Sequence, residues 1–235
     1  MGELNDKGRG SEECQAPARH DRAFYWIGSR FFLQMAKLLL RVQVQGREQI
    51  PRRGRLLIAC NHISLFDPPL VGISIPREVH YAAKASLFKG GWDRFFRWLN
   101  AVPVRRRGVD KEAVETLLDV LNRDETVLIF PEGTNSPTGV ELPVKPGIGL
   151  LALRSDTMIL PARIDGTQHA ERGWKHLLGF ILRKHGRGIR IRFGDPFDPK
   201  ALVTNEMDRH EAYRLIAEYT MDAIRALKSS DIEYK

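Results

Sequence analysis

The stretch RLLIACNHISLFDPP runs from Arg55 to Pro69 and joins two kinds of local structure. RLLIAC is a short apolar run without alternation, the pattern of a strand buried on both faces of a sheet. Asp67-Pro68-Pro69 reads as a helix start, with Asp at the N-cap and Pro at the first helical position. A buried strand, a polar loop and a helix in succession are the unit from which α/β folds are built.

The alternation continues outward from this stretch. RVQVQG (41–46) and EVHYAAK (78–84) read as strands, and AVPV (101–104) as a short extended run. SLFKGGWDRFFRWLN (86–100) reads as one helix weakened at Gly90-Gly91. DKEAVETLLDVLNRD (110–124) is an amphipathic helix capped by Asp110. ETVLIF (125–130) is a second buried strand, GIGLLALRS (147–155) a helix and MILPARI (158–164) a strand. GIRIRF (188–193) alternates, so it is a strand with Arg190 and Arg192 on one face. NEMDRHEAYRLIAEYTMDAIRALK (205–228) closes the chain as a helix. The expected fold class is therefore α/β: a single domain with a central, mostly parallel or mixed sheet flanked by helices. The expected organisation is a polar, disordered tail over 1–21, an amphipathic helix and linker over 22–45, and the domain over 46–235.

The chain has 235 residues and a net charge of +8, which calls for an anionic partner: nucleic acid, a membrane surface or a phosphorylated molecule. The sequence shows no RNP-like aromatic strand, zinc spacing or recognition helix, so no nucleic-acid partner is expected. Two cysteines, Cys14 and Cys60, make no disulfide framework and read as free thiols in a reducing compartment. No His/Cys cluster suggests a metal site, and the polar first twenty residues contain no signal peptide.

RAFYWIGSRFFLQMAKLLLR (22–41) nearly has the length to cross a bilayer, but Arg30, Gln34, Lys37 and Arg41 interrupt it. Their spacings of four, three and four place them on one stripe of a helix, opposite a broad apolar face. Two readings fit: a helix packed on the domain, and a helix lying in the headgroup layer of an anionic membrane. The wealth of aromatic and basic residues favours the second. The segment ERGWKHLLGFILRKHGRGIRIR (171–192) mixes apolar and basic residues in the same way. It reads either as a helix over the core or as a second membrane-facing patch.

His62 and Asp67 are five positions apart, an offset of about 140° on a regular helix. They meet only if the intervening loop is a tight turn. An Asp on one imidazole nitrogen would fix the tautomer and leave the other nitrogen as a base. The chain has no G-x-S-x-G elbow to supply a nucleophilic serine. Such a dyad would act on a hydroxyl brought by the substrate. The plainer alternative is a capped loop.

NHISLFD resembles the N/R-H-x₄-D block of the glycerophospholipid acyltransferases, the family of the 1-acylglycerol-3-phosphate (lysophosphatidic acid) acyltransferases. NAVPVRRRG (100–108), FPEGTNS (130–136) and ILPARI (159–164) are similar to that family's second, third and fourth blocks, in order. VKPGIGLLAL (144–153) and IRFGDPFD (191–198) extend the resemblance to about residues 50–200. It implies acyl transfer from acyl-CoA or acyl carrier protein, as co-substrate and with no cofactor, to the free hydroxyl of a lysophospholipid. The expected acceptor is 1-acylglycerol-3-phosphate. His62 would be the base and Asp67 its orienting partner. Lys84, Arg106, Glu132, Gly133, Thr134 and Lys145 would bind substrate, Arg105 and Arg107 leaving the register of Arg106 open. The place of action would be the cytoplasmic face of a membrane, in a peripheral or monotopic attachment. The sequence departs from the family at Asn135, where FPEGT is usually followed by Arg. A neutral amide replaces a forked cation, so either another cation serves the acceptor phosphate or the acceptor is a different lysolipid or amino-lipid. A family member without catalysis, serving as a lipid-binding protein, is the remaining alternative.

Overall fold

The computed structural model describes residues 22–105, 110–136, 142–167 and 188–228. The polar tail, Arg106 and the larger part of the 171–192 segment, residues 171–187, lie outside the described residues. Chain order is α1 (Arg22–Leu39), β1 (Gln43–Gln45), β2 (Leu56–Cys60), α2 (Asp67–Ser74), β3 (Val79–Lys84), α3 (Gly91–Trp98) and β4 (Ala101–Val104). Then come α4 (Lys111–Asn122), β5 (Thr126–Ile129), α5 (Gly147–Ser155), β6 (Ile159–Asp165), β7 (Arg190–Phe193) and α6 (Arg209–Ala226).

Among the described residues the strands form one seven-stranded sheet in the order β1-β7-β6-β2-β5-β3-β4. β6, β2, β5, β3 and β4 are mutually parallel, and β7 runs antiparallel to β6. The sheet is thus mixed and mostly parallel. Every residue of β2, β5 and β6 is buried, which is why β2 and β5 read as largely apolar runs; β6 also buries Arg163 and Asp165, paired with each other. Successive side chains leave the sheet on opposite faces. Leu56, Ile58 and Cys60 meet Ala36 of α1 and Leu70, Val71 and Ile75 in and just after α2. Leu57 and Ala59 meet Leu117 and Leu121 of α4, Ile148 and Ala152 of α5, and Ile216 and Met221 of α6. The sheet is the middle of three layers, and the carboxyl ends of its five parallel strands share one rim.

Three local expectations change. The 86–100 segment is not one helix: a 3-10 turn covers Ala85–Leu87 and α3 starts at Gly91. Gly90 between them has φ +59°, a left-handed conformation that breaks the helix. The closing helix starts at Arg209, because the Asp208 carboxylate accepts from the His210 N–H and caps it. Asp67 is the first residue of α2, not a side-chain cap. An N-cap side chain accepts from the second or third helical N–H. Pro69 has none, and the Leu70 N–H is already donated to the Phe66 carbonyl. The two prolines therefore free the Asp67 carboxylate to turn back into the loop.

α1 has three sides. At about 100° per residue, Leu33, Ala36 and Leu40 line the side that lies on the domain. Arg30, Gln34 and Lys37 form the next side, all exposed; Arg41, expected on the same stripe, lies past the end of the helix in a left-handed conformation with φ +50°. Ile27, Phe31, Phe32 and Leu38 form the third and are exposed too, Phe31 by 62%. The helix packs on the domain by one side and leaves an apolar side exposed. No helix of the described residues is long and apolar enough to cross a membrane.

Candidate active site

The loop between β2 and α2 is a tight turn, with the Asp67 N–H donating to the Ser64 carbonyl at 3.0 Å. It brings Asp67 Oδ2 to 3.0 Å from His62 Nδ1. The same oxygen accepts from the backbone N–H groups of Ile63 at 2.6 Å and Ser64 at 2.7 Å. The other oxygen, Oδ1, accepts from the Thr167 hydroxyl at 2.7 Å. Asp67 is fully buried, while the His62 side chain keeps 11% of its surface. A buried carboxylate holding one face of an imidazole sets its tautomer, with the proton on Nδ1. His62 Nε2 then carries a lone pair and has no protein partner among the described residues.

Neighbouring strands brace the loop from both sides. The Asn61 side chain continues the β2–β6 ladder like a piece of backbone: Nδ2 donates to the Ile164 carbonyl at 2.9 Å, and Oδ1 accepts from the Ile164 N–H at 2.8 Å. From the β5 side, Glu132 Oε1 accepts from the His62 N–H at 3.0 Å, and the Ser136 N–H donates to the His62 carbonyl at 2.9 Å. The Phe130 ring stacks on the imidazole, centroids 4.2 Å apart. His62 is thus fixed by backbone, by ring face and by Nδ1.

The sequence-derived binding residues fall around this centre unevenly. Glu132 is buried, and its second oxygen accepts from the Leu142 N–H at 3.3 Å. Its observed hydrogen bonds hold two backbone segments together. Gly133 is left-handed at φ +70°, and a Cβ there would lie 2.7 Å from Lys145 Nζ. Lys145 therefore passes over the glycine, with its backbone N–H tied to the Pro131 carbonyl at 2.9 Å. Its side chain is exposed, and Thr134 is half-buried on the same turn. Lys84 is exposed at the carboxyl end of β3, two strands from β2, or about 10 Å along the rim. It is not in the inner cluster. Arg106 lies outside the described residues, just past Arg105, whose N–H is held by Asp110 at 2.7 Å.

Below the dyad, Cys60 is fully buried, and burial first, then the Asp67 charge, pushes its thiol well above the usual range. It is a packing residue, not a nucleophile. Beside it Asp165 pairs with Arg163 at 3.1 Å and Arg192 at 2.9 Å, a buried network between β6 and β7. The sequence reading did not single out Thr167, Asn61 or Phe130. Thr167 had a readable signal: it follows the strand MILPARI, and sites in open α/β sheets gather beyond strand carboxyl ends.

The chain is similar to known acyltransferases in sequence and in fold. Residues 41–165 match the acyltransferase family, more than half of the chain. A 1-acyl-sn-glycerol-3-phosphate acyltransferase of Bacillus subtilis is 32% identical over 127 residues, covering 53% of this chain and 63% of the relative. The mouse alpha enzyme of the same description is 31% identical over 56% of this chain and 48% of its own length. The chain therefore spans less than two thirds of the length of these relatives. A lyso-ornithine lipid O-acyltransferase of Pseudomonas aeruginosa is 27% identical over 85% of this chain and 79% of the relative. Among solved structures, the 1-acyl-sn-glycerophosphate acyltransferase PlsC of Thermotoga maritima superposes with a TM-score of 0.65 at 27% identity, covering 90% of this chain and 83% of the other. The family match runs through the His62–Asp67 turn and the Glu132 brace to the end of β6, and this chain belongs to the acyltransferase family.

Proposed function

We propose that the protein is a membrane-surface acyltransferase. It moves a fatty acyl group from acyl-CoA or acyl carrier protein to the free hydroxyl of a lysophospholipid. The acceptor we favour is 1-acylglycerol-3-phosphate, giving phosphatidic acid. The observation that carries this reading is the His62–Asp67 pair with its unspent Nε2, at the strand rim of a family fold.

The acceptor hydroxyl gives its proton to His62 Nε2 as its oxygen attacks the thioester carbon. The buried Asp67 carboxylate stabilises the imidazolium that forms. Collapse of the tetrahedral intermediate breaks the C–S bond, and the proton leaves with the thiolate. The thioester is already activated, so this chemistry requires neither metal nor cofactor. General-base action of this kind contributes about 10²–10⁴-fold. Arg106, Lys84 and Lys145 supply the positive charge for the acceptor phosphate, with Gly133 giving Lys145 its passage and Thr134 on the same turn.

The third side of α1 and the exposed Leu65 and Phe66, which sit between His62 and Asp67 in sequence, support action at a lipid surface. We place the protein on the cytoplasmic face of an anionic membrane, peripheral or monotopic, with residues 22–45 as its attachment and 46–235 as the acyltransferase domain.

A second reading has specific support. Asn135 stands where the family's third block usually has Arg. In sequence, the lyso-ornithine lipid acyltransferase aligns over 85% of this chain, against 53% and 56% for the Bacillus and mouse lysophosphatidic acid enzymes, while PlsC covers 90% of it in the structural superposition. The acceptor would then be a lyso-amino-lipid without a phosphate monoester. Transfer from labelled acyl-CoA to lysophosphatidic acid and to lyso-ornithine lipid, wild type beside His62→Ala, tests both. Transfer to the first, lost in the variant, supports the main reading; transfer to the second alone supports the other. Transfer unchanged in His62→Ala would sink the mechanism.

A further inference from the structure

We infer that Thr167 is a positioning residue for the dyad: its hydroxyl fixes the plane of the Asp67 carboxylate and so the aim of His62. The inference deepens the proposed function and rests on it for its catalytic meaning.

A carboxylate anchored through one oxygen can still turn about that anchor. Oδ2 of Asp67 receives three donors, the His62 ring and two backbone N–H groups, all from residues 62–64. These donors belong to the same loop and move with it. Oδ1 receives the Thr167 hydroxyl, from two residues beyond the end of β6. Anchors on both oxygens define the carboxylate plane, and with it the lone-pair direction that meets Nδ1. A threonine hydroxyl has one proton to donate, and here it is spent on Asp67. Thr167 is fully buried, so water cannot readily replace it. β6 also carries Ile164, which holds Asn61 through two hydrogen bonds. β6 and the turn that directly follows it thus fix both the start and the end of the NHISLFD turn.

Thr167→Val removes the donor at nearly constant volume, and Thr167→Ser keeps it. The first readout is the proton NMR signal of the His62 ring N–H, assigned by its loss in His62→Ala. The second is steady-state acyl transfer. With Val, the ring N–H signal should broaden through exchange with water. The rate constant kcat should fall about ten- to a hundredfold, as for loss of a hydrogen bond to a charged group, with KM nearly unchanged. Ser should restore the signal and most of the rate. Cooperative thermal unfolding checks that each variant folds. If Val does not fold, Thr167→Cys, with a weak donor, takes its place and should lie between Val and wild type. A folded Val or Cys variant that keeps the wild-type signal overturns the inference. A lost signal with kcat unchanged overturns it equally, because the reaction would then not need the plane fixed. A wild type that shows the signal but transfers no acyl group would count against the proposed function alone, and Thr167 would still be judged by the signal.

Discussion

Among the described residues there are two histidine–carboxylate side-chain pairs, one at each end of the sheet. At the carboxyl rim, His62 Nδ1 meets Asp67 at 3.0 Å. At the opposite end, His80 Nε2 at the start of β3 meets Glu125 at 2.8 Å. By distance alone the second is the better pair. The difference lies in what surrounds them. Asp67 is fully buried and takes four donors, whereas Glu125 is 30% exposed and is shared with Arg123. The spare nitrogen of His62 belongs to a ring with surface left open. The spare Nδ1 of His80 is buried without a partner among the described residues. A histidine–carboxylate contact is therefore not a site by itself. The carboxylate must be held still, and the other nitrogen must reach something that can react.

The two ends can be set against each other by substitution. The largest effect should come from His62→Ala, which should lower kcat by about 10²–10⁴-fold or more while thermal unfolding stays cooperative. Next is Arg77→Met at the closed end. Arg77 donates to the carbonyls of Pro51, Gly54 and Asp124. Losing those bonds should cost about 3 kcal/mol of stability in denaturant melts, with little change in kcat for the folded fraction. If Arg77→Met instead slowed the reaction without destabilising the fold, the division of labour between the two ends would be wrong.

Glu132→Gln should act between these extremes. The amide retains one acceptor for the two N–H groups that the carboxylate now holds. A fall of about tenfold in kcat and about 1–2 kcal/mol in stability is expected. A change in acceptor KM with kcat intact would restore Glu132 to direct substrate contact. Phe31→Ser with Phe32→Ser should leave stability and transfer to detergent-dispersed acceptor nearly unaltered. It should weaken flotation with anionic liposomes by about tenfold or more, since each ring is worth on the order of 1–3 kcal/mol when withdrawn from water. Flotation of wild type should also weaken with salt; unaltered flotation would return α1 to a purely structural role. The smallest effect should be His80→Leu, within about 1 kcal/mol in stability and without effect on kcat.

The two ends also differ in how far they were legible. LLIAC and TVLI were readable as strands because parallel strands buried on both faces leave no other pattern. Motif spacing carried His62, Asp67 and the turn around Glu132. Pairing was not readable: nothing in the letters says that β2 lies between β5 and β6, or that β7 returns antiparallel. The inner cluster of the site depends on that order, so Thr167 and Asn61 were overlooked despite standing at strand ends. The bracing bonds of Glu132 were not readable for the same reason, since its partners are backbone groups on other segments. The Asp67 cap failed on local chemistry, the missing N–H of Pro69.

The bond between Thr167 and Asp67 spans 100 residues, and that gap has a meaning in time. A ribosome adding about 5–20 residues per second makes Thr167 about 5–20 s after Asp67. Through that interval β2 has every apolar side chain it will ever bury and lacks β6 on one edge. The nascent chain is most vulnerable to aggregation in this interval. A product stopped before Ile159 would contain NHISLFDP and FPEGTNS complete, yet Asn61 would lack Ile164 of β6 and Asp67 would lack Thr167 just beyond it. Such a fragment would match the family by its letters and still lack the braced dyad.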